Sequence, residues 1–177
     1  MKTEIISTET IYEGKIFDVL SAKIREGEIE YQREIIKHSG SAVIVPVFAD
    51  ETVALVRQYR HAAEKHLLEI PAGTLEADEL PETGAARELE EEIGFKAGNI
   101  EKLTEFYVSP GFLTEKMFVF LATDLTETAQ NLDDDEVISI ERLSFPKLYE
   151  KIRNGEIEDA KTMVGVILAG AKFGFSL

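Results

Sequence analysis

Four glutamates lie close together in the segment RELEEEIGF, residues 87–95: Glu88, Glu90, Glu91 and Glu92. At about 100° per residue, a helix would place Glu88, Glu91 and Glu92 within about 100° of one another and leave Glu90 apart in solvent. Carboxylates at this spacing repel one another. The segment therefore predicts either a solvated acidic helix surface or a site where a divalent ion such as Mg²⁺ or Mn²⁺ gathers three oxygen ligands.

The other face of this helix is apolar and is expected to pack, through Ala85, Ala86, Leu89 and Ile93. Pro81 is favoured in a first helical turn, and Gly94 is suited to end the helix. One face of the predicted helix is thus structural, and the other presents the three carboxylates.

A longer pattern surrounds the helix. Gly73 is followed after five residues by Glu79 and after seven more by Arg87-Glu88-Leu89; Glu91-Glu92 and Gly94-Phe95 then follow, each after one intervening residue. This pattern resembles a complete Nudix box. Four other segments resemble the ADP-ribose pyrophosphatase branch of that family: VRQYR (56–60), LEIPAG (68–73), SPGFLTE (109–115) and DAKT (159–162).

The resemblance implies a site for two or three Mg²⁺ ions, with Mn²⁺ as the alternative. Glu88 and Glu92 are expected to be direct ligands, and Glu91 a further ligand or a contact to metal-coordinated water. The carbonyl of Ala72 would complete the coordination. Arg87 is expected to orient the glutamates through salt bridges.

Two further box positions are expected to support the loop before the helix. Glu79 would hold that loop, and Gly73, like Gly94, would provide backbone geometry that other residues resist.

Substrate contacts are expected outside the box. By resemblance, Arg60 would contact a phosphate or ribose and Glu115 the sugar of the substrate, the alternative for each being an ordinary exposed charge. Pro110 occupies the place of the proline that this branch carries beyond the box, fifteen residues after Phe95. Gly111 is grouped with it as a substrate-binding residue.

The catalytic base is sought in the acidic loop NLDDDEVISI, residues 131–140. Relatives of this type place an acidic residue late in the domain, and Glu136 is the preferred candidate to bind metal or to activate water, with Asp134 second. Asp133 and Asp135 are interpreted as loop charges. The alternative is a solvated charge run with no chemical role.

Composition restricts the class of partner. The 177 residues carry a net charge of −15, which opposes binding to nucleic acid or to anionic membrane surfaces. The absence of cysteine excludes disulfides and thiolate chemistry, and the three histidines show no metal-ligand spacing. The first ten residues lack the apolar core of a signal peptide, so a cytoplasmic protein is expected.

The elements needed to position the site follow from patterning. Partial alternation at 15–25 and 28–37 predicts two antiparallel strands, and SAVIVPVF (41–48) predicts a strand covered on both faces. Strands are also expected at 52–60, before Pro71 and in three later segments, followed by two helices within 145–155 and 159–173. The expected fold is an α/β (α+β) Nudix-type α/β/α sandwich with a mixed sheet, preceded by a small N-terminal antiparallel sheet.

Residues 1–40 are therefore interpreted as a sheet used in dimerisation and residues 41–177 as the Nudix domain. In this branch the N-terminal sheet is exchanged across a homodimer, so Arg33 would reach the neighbouring subunit's adenosine site, the alternative being a surface role.

The resulting functional hypothesis is Mg²⁺-dependent hydrolysis of ADP-ribose to AMP and ribose 5-phosphate. The alternatives are hydrolysis of another nucleoside diphosphate sugar or dinucleotide and, as a different class, a non-catalytic module that senses ADP-ribose. An intact box and the absence of an added basic segment disfavour the sensor.

Overall fold

The computed structural model describes residues 2–132 and 136–177. Asp134, the second candidate base, therefore lies outside the described residues, as do Asp133 and Asp135. The described strands and helices are, in chain order, β1 (Thr3–Glu13), β2 (Asp18–Glu26), β3 (Ile29–Lys37), β4 (Ser41–Pro46), β5 (Thr52–Arg60), β6 (Lys65–Glu69), β7 (Ala72–Thr74), α1 (Pro81–Ile93), β8 (Phe95–Tyr107), β9 (Lys116–Glu127), β10 (Ile138–Ser144), α2 (Phe145–Arg153) and α3 (Ala160–Lys172).

The chain divides into two compact units. The first runs to Gly40 and includes Phe106–Met117, and the second comprises Ser41–Glu105 and Phe118–Leu177. The first unit contains an antiparallel sheet in the order β1–β2–β3. The predicted strand pair around residue 27 is confirmed, and Gly27 turns the chain there with a φ of 64°, a left-handed conformation that favours glycine.

Strand β1 was not predicted from the sequence. All eleven of its residues are exposed, so the strand buries no face that would impose alternation of apolar and polar residues. In the same unit, the backbone N–H of Ile36 donates to the carbonyl of Phe112 (2.7 Å), and the N–H of Thr114 donates to the carbonyl of Ile36 (2.9 Å). These bonds attach the segment that contains Pro110 and Gly111 to β3.

Strand β4 lies at the centre of the second unit. All six of its residues are buried, which confirms the prediction of a strand covered on both faces. Ala42 and Ile44 share a core cluster with Ala85 and Leu89 of α1. The alternate residue Val45 contacts the opposite layer, because a Cβ built on Gly165 of α3 would lie 3.0 Å from it.

This arrangement gives the second unit a helix layer on each side of β4. Its strands form one sheet in the order β10–β5–β6 and, with β8 and β9, another in the order β7–β4–β9–β8. The expected α+β fold with an α/β/α sandwich and a small N-terminal antiparallel sheet is confirmed.

The helices are short. Within the described ranges 2–132 and 136–177, none combines the length and the apolar character needed to cross a bilayer.

Candidate active site

Helix α1 begins at the predicted Pro81 and ends at the predicted Gly94. Gly94 adopts a left-handed φ of 71°, and its N–H donates to the carbonyl of Glu90 at 2.9 Å. The expected packed face is confirmed, with Leu89 fully buried and Ile93 3% exposed.

The expected acidic face is less exposed to solvent than the helix pattern predicts. Glu88 and Glu92 are only 7% and 2% exposed. They lie against β7, where a Cβ on Gly73 would overlap the carboxylate of Glu88. The backbone N–H of Ala72 donates to Glu92 Oε2 at 3.2 Å. Helical periodicity places residues on a face, but here a neighbouring strand covers part of that face.

Arg87 ties these carboxylates to the loop before the helix. Its Nη1 donates to both Glu88 Oε1 and Glu91 Oε2, at 2.7 Å each. Its Nε and Nη2 donate to the two oxygens of Glu79 at 3.0 and 3.1 Å, and Nη2 also donates to the carbonyl of Thr74 at 3.3 Å. Glu79 in turn accepts the N–H of Glu76 at 3.0 Å. One guanidinium thus bridges three carboxylates.

The electrostatic environment differs between these glutamates. Hydrogen bonds from Arg87 lower the pKa of Glu79 below its usual value, and the carboxylates raise the pKa of Arg87. Burial raises the pKa of Glu88 to about 7, with a further contribution from the charges of Glu91 and Glu136. Burial also raises the pKa of Glu92 to about 8, again with repulsion from Glu88 and Glu136.

Glu136, the preferred base, is therefore within electrostatic range of the buried pair. It is half-buried at the start of the segment that leads into β10. Its negative charge opposes ionisation of both Glu88 and Glu92. Three acidic side chains thus repel one another at one place, although Glu136 is more than forty positions away in the chain from Glu88 and Glu92.

The carboxylate oxygens of these glutamates are suited to a divalent ion, although their present orientation favours contact with Arg87. Among the described residues, no group of three or more histidine, cysteine, aspartate or glutamate side chains is already arranged to hold a metal ion. Glu88 and Glu91 each direct an oxygen at Arg87 instead. Two buried carboxylates with raised pKa values would nevertheless be stabilised by a dication, which prefers carboxylate oxygens.

Arg60 lies beside this group, at the end of β5. Its Nε and Nη2 form a fork to Glu69 Oε1 and Oε2 at 2.8 and 2.7 Å. Its charge offsets a part of the rise in the pKa of Glu92. The pKa of Arg60 is itself raised, chiefly by the hydrogen bonds to Glu69.

The remaining predicted residues belong to the first unit. Arg33 lies with its guanidinium carbon 4.3 Å from the ring centroid of Tyr31. Arg33, Pro110 and Gly111 line a pocket of about 300 Å³ together with Phe112. Glu115 is half-buried, and its carbonyl accepts the N–H of Val108 at 3.2 Å.

Several structured contacts near the acidic helix were not predicted. The side-chain amide of Gln130 donates to the carbonyl of Glu92 at 2.6 Å, and the N–H of Asn131 donates to that of Glu91 at 3.0 Å. These bonds attach Gln130 and the first residue of the acidic loop to the end of α1. Glu69 and Lys161 form a buried ion pair that also went unpredicted. A lysine near the start of a mostly apolar helix was a signal for it in the sequence.

The chain is similar to known proteins in sequence and in fold. Residues 38–164 match the family model described as the NUDIX domain. An ADP-ribose pyrophosphatase of Bacillus subtilis (strain 168) is 36% identical over 170 residues, which cover 94% of this chain and 91% of that protein. A methanol dehydrogenase activator of Bacillus methanolicus is 35% identical, with 91% and 89% covered.

A GDP-mannose pyrophosphatase of Salmonella typhimurium is 34% identical, with 79% of this chain and 78% of that protein covered. Among solved structures, one titled as that of an ADP compounds hydrolase superimposes with a TM-score of 0.86. It is 22% identical, and the match covers 98% of this chain and 95% of that one. At that identity the likeness concerns the fold.

Proposed function

The chain belongs to the Nudix family of pyrophosphohydrolases, and from this premise we propose that it hydrolyses the diphosphate of ADP-ribose to AMP and ribose 5-phosphate. The observation that carries the proposal is the buried pair Glu88 and Glu92, which lie against Gly73 and Ala72 respectively and ionise only at a free-energy cost. Two buried carboxylates are unfavourable when they ionise without a cation nearby, and they become favourable when they bind one.

Two or three Mg²⁺ ions, or Mn²⁺ in their place, would be held by the carbonyl of Ala72 and by four carboxylates, those of Glu88, Glu91, Glu92 and Glu136. Bound divalent ions supply positive charge that offsets the charge of the diphosphate, and they lower the pKa of water. Arg87 keeps Glu88 and Glu91 close together before the ions bind, because one nitrogen donates to both.

The remaining residues bind the substrate and move a proton. Arg60 contacts a phosphate through N–H groups that are not engaged with Glu69, and Glu115, Pro110, Gly111 and, across a homodimer, Arg33 contact the sugar and the adenosine. A water oxygen attacks one phosphorus while the bond from that phosphorus to the bridging oxygen breaks. Glu136 or a box glutamate takes the proton from the water, and the electrostatic coupling of Glu136 to Glu88 and Glu92 supports the first of these.

A competitive hydrolysis assay tests the choice of substrate. Purified protein with Mg²⁺ is given ADP-ribose, ADP-glucose, GDP-mannose and NADH, and the products are separated by chromatography. We expect the highest kcat/KM with ADP-ribose and equal amounts of AMP and ribose 5-phosphate.

A second candidate is hydrolysis of another nucleoside diphosphate sugar, and the similarity to a GDP-mannose pyrophosphatase favours it. The highest kcat/KM with GDP-mannose would establish that candidate instead. No turnover of any of the four compounds would overturn both.

A further inference from the structure

Arg60 belongs to a cluster of four charged side chains, of which Glu69 and Lys161 are buried and Arg60 and Asp159 are half-buried. Glu69 is 1% exposed and accepts the fork from Arg60 as well as a bond from Lys161 Nζ to its Oε2. Lys161 is itself 7% exposed and also donates to Asp159 Oδ1 at 3.0 Å. The charges alternate along the cluster, from Arg60 to Glu69 to Lys161 to Asp159, and they balance.

The cluster joins the start of α3 to the strand that leads into the acidic site. Glu69 ends β6, and three residues later the N–H of Ala72 bonds to Glu92. At the other end, Asp159 caps α3 by accepting the N–H of Thr162 at 2.9 Å.

Attachment of α3 does not rest on Lys161 alone. The N–H of Ile70 donates to Thr162 Oγ1 at 2.9 Å, which already ties the helix to the segment after β6. Burial of an ammonium costs free energy, and a carboxylate left unpaired in its place would also be unfavourable, but Glu69 keeps the fork from Arg60 when Lys161 is replaced. Two contacts depend on the charge of Lys161: one to Asp159 at the start of its own helix, and one to Glu69, on the oxygen that Arg60 Nη2 also uses.

Because both cations bond to Glu69 Oε2, the orientation of Arg60 depends on Lys161. The fork from Arg60 keeps its guanidinium in line with the carboxylate of Glu69. A second cation on the same carboxylate restricts its rotation. The fork uses two of the five N–H donors of Arg60, so the direction of the other three follows from the orientation of Glu69.

We propose that Lys161 is a positioning residue for diphosphate binding: it fixes Glu69, and Glu69 aims the guanidinium of Arg60 at the phosphates. The inference rests on the proposed function, in which Arg60 contacts a substrate phosphate. Lys161 itself touches no substrate.

A double-mutant cycle between Lys161→Met and Arg60→Ala tests the inference, with KM and kcat measured on ADP-ribose. Because Lys161 acts through Arg60, Lys161→Met should raise KM by about tenfold and change kcat by less than about threefold. Arg60→Ala should raise KM at least as much, and the double variant should match Arg60→Ala alone. Lys161→Arg, which keeps a cation on Glu69, should recover most of the loss.

Lys65→Met is the matched control. Lys65 also joins β6 to the segment before α3, through Glu158 at 2.5 Å, but both side chains are about half exposed. KM should stay at the wild-type value in this variant. The Kd of α,β-methylene-ADP-ribose, a non-hydrolysed probe, should follow KM across the series.

Unchanged KM in Lys161→Met, or additive effects of the two substitutions, would overturn the inference while leaving the proposed function in place. Wild-type protein that hydrolyses none of the four compounds would overturn both. If circular dichroism shows that Lys161→Met does not fold, Glu69→Gln takes its place in the same cycle, with the same non-additive rise in KM expected.

Discussion

Glu92 combines deep burial with a charge that its surroundings oppose. It is 2% exposed, it accepts one backbone N–H from Ala72, and its pKa lies near 8. In the proposed reaction this carboxylate is a metal ligand. Replacing Glu92 by an uncharged side chain should therefore reduce turnover and, at high pH, remove the free-energy cost that the buried charge imposes on folding.

Glu92→Gln should reduce turnover of the preferred substrate by about 10²–10⁴-fold, because an amide is a poor ligand for Mg²⁺ while it can still accept the bond from Ala72. Steady-state kinetics with Mg²⁺ measures the loss. Glu90→Gln is the control, since Glu90 is on the same helix but pairs with Lys96 at 3.0 Å. Equal turnover by wild type and Glu92→Gln would refute the assignment.

The pH dependence of stability should reveal the same residue without turnover. The pKa of Glu92 is raised from 4.5 to about 8 and that of Glu88 to about 7. A carboxyl whose pKa is raised by folding stabilises the fold while protonated, so this contribution is complete below about pH 4.5 and is lost as the pH rises through about 8.

With EDTA present, wild-type protein should have a lower free energy of unfolding near pH 9 than near pH 6, by on the order of 1–3 kcal/mol from these groups. Glu92→Gln should show a smaller loss, and Glu90→Gln should keep the wild-type dependence. Urea unfolding at the two pH values gives the comparison. A Glu92→Gln variant as sensitive to pH as wild type would contradict the assigned pKa.

At the scale of elements, the site is formed by the contact between α1 and β7. The strand is only three residues long, but it supplies the glycine against which Glu88 packs and the N–H that binds Glu92. Gln130 and Asn131 hold the end of the same helix by donating to the carbonyls of Glu92 and Glu91. Close approach of helix and strand thus determines where the carboxylates lie.

Gly73→Ala should disrupt this contact with little effect on the rest of the fold. A methyl group at this position would overlap the Glu88 carboxylate and displace it from the site, so turnover should fall by about 10²-fold. Circular dichroism should remain that of the wild type. Thr74→Ala, on the exposed next residue of β7, should keep full turnover; loss in both variants would show that the strand as a whole had been disturbed.

At the scale of the whole molecule, charge and exposed apolar surface matter most. A net charge of −15 repels an anionic diphosphate, which is consistent with a site that depends on bound cations and on Arg60. In the first unit, Ile5, Ile11 and Ile29 are 59%, 58% and 67% exposed. Apolar side chains this exposed on one small sheet favour burial against a second copy of the chain.

We expect a homodimer in sedimentation velocity, and we expect Ile11→Asp to shift it toward monomer because the substitution places a charge in the proposed interface. Turnover should fall with dissociation, since Arg33 is proposed to act across the dimer. Leu177→Asp, at an exposed apolar residue of the second unit, should leave the dimer intact. A wild-type monomer at all concentrations would remove Arg33 from the site.

The sequence by itself determined the family, the limits of α1, most strands and the identity of the box residues. Those features depend on local patterns: Pro81 and Gly94 act at the helix ends, and a continuous run of mostly apolar residues predicts β4. It could not determine that Glu88 and Glu92 are buried, that Glu136 couples to them, or that Lys161 reaches Glu69 across 92 positions. Only tertiary packing decides these contacts, because burial and long-range pairing depend on which strand covers a given face, and helical periodicity carries no information about that neighbour.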